Sequence, residues 1–182
     1  KINNALSAQG KNISYNRHSV IRIEVPANIT NSGECSWLSE NDNLVEIFFP
    51  KNSQLKTIPR GSFYSNEKLE KINIPASVTE ITGNQHFNGD IALKYVTFDD
   101  GCQITTLPDR MFQNCASLET LVIPNSVTTI EAFCFTGTKK LTSLTLSANL
   151  INFGGKNFPW IQYKDEIFKI YAPDTFLANN EK

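Results

Sequence analysis

From Val20 to Phe158 the chain repeats one hydrophobic pattern: apolar residues at positions 1, 4 and 6 of a short segment, usually followed by proline, restarting every 23 to 25 residues. The segments open at Val20, Leu44, Leu69, Leu93, Leu118 and Leu141 and read VIRIEVP, LVEIFFP, LEKINIP, LKYVTFD, LETLVIP and LTSLTLS. A seventh, IFKIYAP, opens at Ile167. Side chains alternate along an extended strand, so positions 4 and 6 share a face, and position 1 closes the core at the strand's entry. Proline at position 7 has no N–H for a sheet ladder, which predicts that each strand ends there.

A second pattern follows the proline. Val127 and Ile130 come three and six residues after Pro124, and Phe135 five after Ile130. The Leu69 block repeats this with Val78, Ile81 and Phe87. The Leu44 and Leu93 blocks carry two extra residues before the equivalent pair, Leu55 and Ile58 in one and Ile104 and Leu107 in the other, then resume with Phe63 and Phe112. These inserts fall between strand and return segment, where a longer turn is expected to be tolerated. Each block has some 16 to 18 residues for its return. That is too few for a full helix with loops, but enough for a turn, a short extended or 3₁₀ piece and a phenylalanine plug.

One block cannot bury its apolar face alone, so successive blocks must stack into a continuous core. The predicted fold is an α/β-type repeat solenoid, mostly β with little helix. Its right-handed coils place one parallel sheet of about seven short strands along one side, with neighbours about 4.8 Å apart. Residues 1–19 do not follow the repeat and are expected to form an N-terminal cap or a degenerate repeat. Residues 20–166 hold six repeats, and 167–182 form a C-terminal capping unit. The stretch FGGKNFPWIQYKDE lengthens the last return, and Trp160, Ile161 and Tyr163 are expected to fold over the final core layer.

Composition narrows the function more by exclusion than by pointing. Apolar residues make up 40% and charged residues 19%, as in a globular chain, and no stretch approaches the roughly 20 apolar residues of a membrane helix. Seventeen basic and 18 acidic residues leave a net charge of −1, with no basic footprint for nucleic acid or anionic lipid. The opening KINNALSAQGK has neither the apolar run nor the cleavage site of a signal peptide. The chain is expected to be monomeric, without membrane insertion.

Candidate chemistry is sparse. His18 and His86 lie in different blocks, and His86 in GNQHFNGD reads as a surface-loop histidine rather than a base or ligand. No phosphate loop or nucleophile elbow occurs. Asp99 to Gly101 reads as a strand-ending turn, since it lacks the alternating oxygen ligands of a calcium loop. Gly154 and Gly155 read as a turn. Cys35, Cys102, Cys115 and Cys134 include no C-x-x-C pair. Cys115 and Cys134 fit small buried thiols, and a disulfide between them is the alternative in an oxidising compartment. No catalytic residue, cofactor or metal ligand is expected. Asn12 and Asn28 lie in N-x-S/T sequons, which matter only in a eukaryotic secretory pathway.

The remaining candidate is the outer face of the sheet. Positions 3 and 5 point away from the core: Arg22 and Glu24, Glu46 and Phe48, Lys71 and Asn73, Tyr95 and Thr97, Thr120 and Val122, Ser143 and Thr145, Lys169 and Tyr171. Stacked in register, they form two columns. Phe48, Tyr95, Val122 and Tyr171 stand where solubility alone would favour charge, which either marks a contact surface or reflects the general fitness of such residues for strands.

LEKINIPASVTEI and LETLVIPNSVTTI resemble the BspA-like leucine-rich repeat family, whose repeat runs L-x-x-I-x-I-P-x-S-V-T-x-I-G-x-x-A-F-x-x-C-x-x-L. Cys115 and Ser117 fall on the family's F-x-x-C-x-S-L, and the closing KIYAPDTFLANNEK is similar to its terminal unit. Asp99 and Ser147 stand in place of the usual proline, and NSGECSW replaces the second apolar pair of the first block. The resemblance implies a right-handed leucine-rich repeat superhelix and a secreted or surface-displayed protein that adheres to host or other-cell proteins or glycans. A structural spacer within a longer surface protein is the alternative. The family has no catalytic residue set to carry over.

Overall fold

A computed structural model of the protein describes residues 20–30, 38–155 and 169–172. The candidate N-terminal cap, Cys35, His18, Asn12, the Trp160 to Tyr163 lid and the C-terminal tail lie outside the described residues. The described chain is a solenoid of stacked coils, mostly β, with parallel strands and no helix. Each coil opens with one strand of the predicted pattern: β1 (Arg22–Glu24), β2 (Glu46–Phe48), β4 (Lys71–Ile74), β6 (Tyr95–Phe98), β8 (Thr120–Val122), β10 (Ser143–Thr145) and β12 (Lys169–Tyr171). The return segments carry two-residue strands at the second apolar pair: β3 (Thr57–Ile58), β5 (Glu80–Ile81), β7 (Thr106–Leu107), β9 (Thr129–Ile130) and β11 (Asn152–Phe153).

In the six segments that open at Val20 to Leu141, every inward position that the pattern assigns to positions 1, 4 and 6 is buried or packed against the core, as are the second apolar pairs, whereas Ile170 of the seventh segment is exposed. The plugs form a column. Phe63, Phe87, Phe112 and Phe135 stack with centroid separations of 4.9, 5.4 and 6.0 Å and interplanar angles of 13, 7 and 6°, and Phe49 meets Phe63 edge-on at 6.4 Å. Offset stacking adds about 0.5–1.5 kcal/mol per pair beyond area burial, so the column ties each coil to the next.

Strand pairing departs from the single sheet expected. Hydrogen bonding groups the opening strands as β1-β2-β4-β6 and as β8-β10-β12, with β6 and β8 adjacent but unpaired. The return strands divide one coil earlier, into β3-β5 and β7-β9-β11. The fourth coil therefore straddles the division. Its opening strand is in register with the coils before it, and its return strand with those after it. The two-residue insert of that coil lies between β6 and β7, where a wider turn displaces the return segment. On the plug side the ladder is unbroken: Phe63, Phe87 and Phe112 donate their N–H to the carbonyls of His86, Met111 and Cys134 at 3.2, 2.9 and 2.9 Å.

The insert of the Leu44 coil has a milder effect. β2 pairs with β4 only through Glu46 with Lys71 and Ile47 with Ile72. Beyond that point the side chain of Asn73 replaces the ladder, its Oδ1 accepting from Phe49 N–H at 3.0 Å and its Nδ2 donating to the Phe49 carbonyl at 2.9 Å. An insert is tolerated, but it costs strand pairing at the next junction.

A buried polar column runs three residues before each opening leucine: Asn41, Asn66, Asp90, Cys115 and Thr138. Asn66 donates from Nδ2 to the Phe63 and Leu38 carbonyls, Thr138 from Oγ1 to the Phe135 carbonyl, and Cys115 from Sγ to the Phe87 carbonyl at 3.1 Å. The turn carrying this column needs a left-handed residue in each coil, filled by Glu40, Ser65, Gly89, Asn114 and Gly137. At Gly137 a Cβ would stand 2.5 Å from Asn114 Oδ1 and 3.2 Å from its Cα, so contact as well as φ favours glycine there.

Candidate functional site

Strand register places the outward residues as two columns on one face. Arg22 lies opposite Glu46, Glu46 opposite Lys71, and Lys71 opposite Tyr95, while Ser143 lies between Thr120 and Lys169. The second column runs Glu24 to Phe48, then Asn73 to Thr97, and past the β6/β8 division Val122 to Thr145 to Tyr171.

The two halves of this face differ in chemistry. In the first, Glu46 accepts from both Arg22 Nε at 3.2 Å and Lys71 Nζ at 3.1 Å, so the charges of the first column compensate one another. Phe48 is half-buried, with the Arg22 guanidinium 5.9 Å from its ring centroid. Asn73 does not offer its amide to solvent as expected. It is held by the Phe49 backbone and reaches Asp99 at 3.4 Å. Tyr95, on the last strand of the first half, and Val122 and Tyr171 in the second are 57, 65 and 54% exposed. Thr97, Thr120 and Lys169 are exposed beside them, and Ser143 and Thr145 are partly so.

Between the halves lies an open groove of about 690 Å³, lined by β6, β8 and the turns after each. At its end stand Asp99 and Asp100, Gln103, Asn125 and Ser126, with no cationic side chain among the lining residues. At ordinary junctions the N–H of position 6 reaches the next strand: Val25 to the Phe48 carbonyl at 2.9 Å, Ile123 to Thr145 at 2.9 Å and Leu146 to Tyr171 at 2.8 Å. Phe98 holds that position beside the groove, and β8 does not pair with it. The sequence carried one sign of this opening, the insert after β6. The other sign emerges only by comparing junctions: Val122 occupies the position at which Asn73 closes the earlier one.

His86 is not a surface-loop residue. It is fully buried, Nε2 donates to the Thr82 carbonyl at 3.0 Å and Nδ1 has no partner. Burial lowers its pKa from 6.5 to about 4, which keeps the ring neutral. Asp90 is also buried. Its Oδ1 accepts from Asn66 N–H at 2.7 Å, its Oδ2 is unpartnered, and desolvation raises its pKa well above the ordinary carboxylate value. The turn positions of asparagine and aspartate gave no sequence signal of burial, because the repeat, not the residue type, carries them inward.

Cys102, Cys115 and Cys134 are free buried thiols, each with its pKa raised chiefly by desolvation. Thiols in such surroundings are inert as nucleophiles. Asp99 to Gly101 forms the expected turn, with Gly101 at φ 85°. Ser147, in place of proline, is buried and uses its hydroxyl to donate to the Asn125 carbonyl at 3.3 Å and to accept from Asn149 N–H at 3.1 Å. Asn28 stands exposed on a turn. No group of three His, Cys, Asp or Glu that could hold a metal gathers among the described residues. No described helix is long and apolar enough to cross a membrane.

Parallel strands stacked at a period of 23 to 25 residues, with leucine at each strand's entry, define a leucine-rich repeat protein. The family described as BspA type leucine rich repeat region, with six copies, matches residues 1–89 and 56–174. The chain belongs to this family, which is generally non-catalytic. Three solved structures share the fold. The T. pallidum leucine-rich repeat protein TpLRR is 21% identical, with a TM-score of 0.63 over 76% of this chain and 70% of its own. A leucine-rich repeat protein from Bacteroides ovatus is 24% identical, with a TM-score of 0.54 over 74% of this chain. The pneumococcal vaccine antigen PcpA is 20% identical, with a TM-score of 0.56 over 85% of this chain. The chain spans 39 and 51% of the length of the latter two. No curated protein matches it in sequence.

Proposed function

We propose that this chain is a non-catalytic recognition module, presented at the cell surface or outside the cell, that adheres to a protein or glycan of a host or another cell through its sheet face. The observation that carries this reading is the exposure of Tyr95, Val122 and Tyr171 on regular strands, beyond the Arg22–Glu46–Lys71 charge pairing of the first coils. An exposed apolar residue on a strand costs solubility, and several on one face suit a contact surface. Membership in the family and likeness in fold to a vaccine antigen support the surface location. The site needs no cofactor.

The second reading is a structural spacer, favoured by the continuous phenylalanine stack, which suits a stiff rod. Immobilised domain incubated with arrays of matrix proteins and glycans separates the two. A recognition module retains a ligand, and Tyr95→Ser with Tyr171→Ser weakens retention about tenfold without changing the melting temperature. A domain that retains nothing from either array is a spacer.

A further inference from the structure

The groove between β6 and β8 is a defect in an otherwise regular ladder, and its chemistry differs from that of the face around it. By the alternation of the parallel ladder, the N–H and C=O of Val96 and Phe98 point toward β8, and those of Thr120 and Val122 point back toward β6. Because the strands do not pair, these groups are open to a ligand. Unpaired strand backbone is a template for an extended peptide, which supplies both donors and acceptors at the same spacing. The walls are apolar along the strands, where Tyr95 and Val122 are exposed. They are acidic beyond the end of β6, where Asp99 and Asp100 meet no cation among the lining residues. Asp99 is steadied by the Asn73 amide, 3.4 Å from both carboxylate oxygens. From Tyr95 to Asp99 the strand rises about 13 Å, the reach of four or five extended residues.

We propose that this groove is the binding site on the face and that its occupant is an extended segment of a partner protein, with an arginine or lysine seated between Asp99 and Asp100 and apolar side chains over Val122 and Tyr95. This rests on the recognition reading above and gives it a ligand class. Two carboxylates at the rim attract a cation with charge-assisted hydrogen bonds. A neutral sugar would gain nothing comparable from them.

The earlier junction supplies a way to close the site. Asn73 and Val122 both occupy position 5 of the strand that follows an insert, and Asn73 satisfies Phe49 N–H and C=O with its amide. Val122→Asn places the same amide opposite Phe98 and seals the groove. Val122→Thr keeps a β-branched side chain there that is too short to span it.

The test titrates the isotopically labelled domain with acetylated hexapeptide amides built from Val, Thr and Tyr, carrying Arg, Lys, citrulline or Glu near either end. Arg and Lys peptides are expected to bind and to shift the amides of 95–100 and 120–122. Citrulline and Glu should bind about tenfold more weakly, or not at all. Asp99→Asn with Asp100→Asn should remove the preference for Arg and Lys. Val122→Asn should abolish binding with an unchanged or raised melting temperature, whereas Val122→Thr should retain it. Equal binding of Arg and Glu peptides, shifts elsewhere on the face, or no binding by any peptide overturns the proposal. A ligand retained on the arrays with undiminished affinity by both Val122→Asn and the Asp99/Asp100 variant sinks this site while leaving the recognition reading intact. A domain that retains no ligand at all sinks that reading itself.

Discussion

At the scale of single residues, the molecule holds two buried ionisable groups that pull stability in opposite directions with pH. His86 is neutral in the fold, with its pKa lowered from 6.5 to about 4 by burial. The unfolded chain binds a proton at His86 below pH 6.5 while the folded one resists, so stability present above pH 6.5 is lost as pH falls toward 4. The full loss is about 3 kcal/mol. Asp90 behaves inversely, since its folded pKa is raised above 3.8. Its contribution is fully present below pH 3.8 and is lost as pH rises through the folded value. Asp90→Asn extends the column begun by Asn41 and Asn66, and Nδ2 can donate to the Phe87 carbonyl as Asn66 does to Phe63. Urea unfolding across pH 4 to 9 should show Asp90→Asn more stable than the parent at neutral pH, with a flatter slope above pH 4. His86→Gln should lose the acid-side slope between pH 6.5 and 4. An unchanged slope in either variant would show that the group is not buried in solution.

At the scale of elements, a coil is held less by its strands, two to four residues long, than by the side chains those strands deliver inward. Phe87 lies at the middle of the stack, 4.9 Å from Phe63 and 5.4 Å from Phe112, and is fully buried. Phe87→Ala removes two ring contacts and leaves a cavity, at a cost of about 3–5 kcal/mol. Because each coil contacts only its neighbours, the loss should fall unevenly. Calorimetry should show a lower melting temperature with a broadened or split transition. A single sharp transition displaced by only a degree or two would mean that the column contributes little. The same logic explains the inserts. Two extra residues after a strand leave the core positions in place, because return pair and plug still reach inward, but the next strand loses its full ladder.

At the scale of the whole molecule, the solenoid is a continuous core with a divided front. The opening strands divide between β6 and β8 and the return strands between β5 and β7, so neither division cuts through the molecule, and the plug-side ladder crosses both. The groove is thus open without being a hinge between separate bodies. Hydrogen exchange measures it: the amides of Phe98, Thr120 and Val122 should exchange faster than their ladder counterparts Ile123, Ser143 and Thr145, and Val122→Asn should slow Phe98. Equal protection in the parent protein would mean that the strands pair in solution.

The repeat alone determined the coil. Apolar residues at positions 1, 4 and 6, the second pair and the phenylalanine plug recur at a fixed spacing, and a strand's two-residue alternation converts that spacing directly into inside and outside. The seven opening strands, the buried plugs and the outward columns were therefore legible before any fold existed. Whether neighbouring coils hydrogen-bond was not legible, because it depends on how an insert in one coil meets a side chain in the next. Asn73 and Val122 occupy the same repeat position, and only the stacked structure shows one closing its junction and the other leaving it open. The burial of His86 and Asp90 was hidden for a related reason. Polar residues in turns are ordinarily solvated, and here the stacking of coils above and below takes the water away.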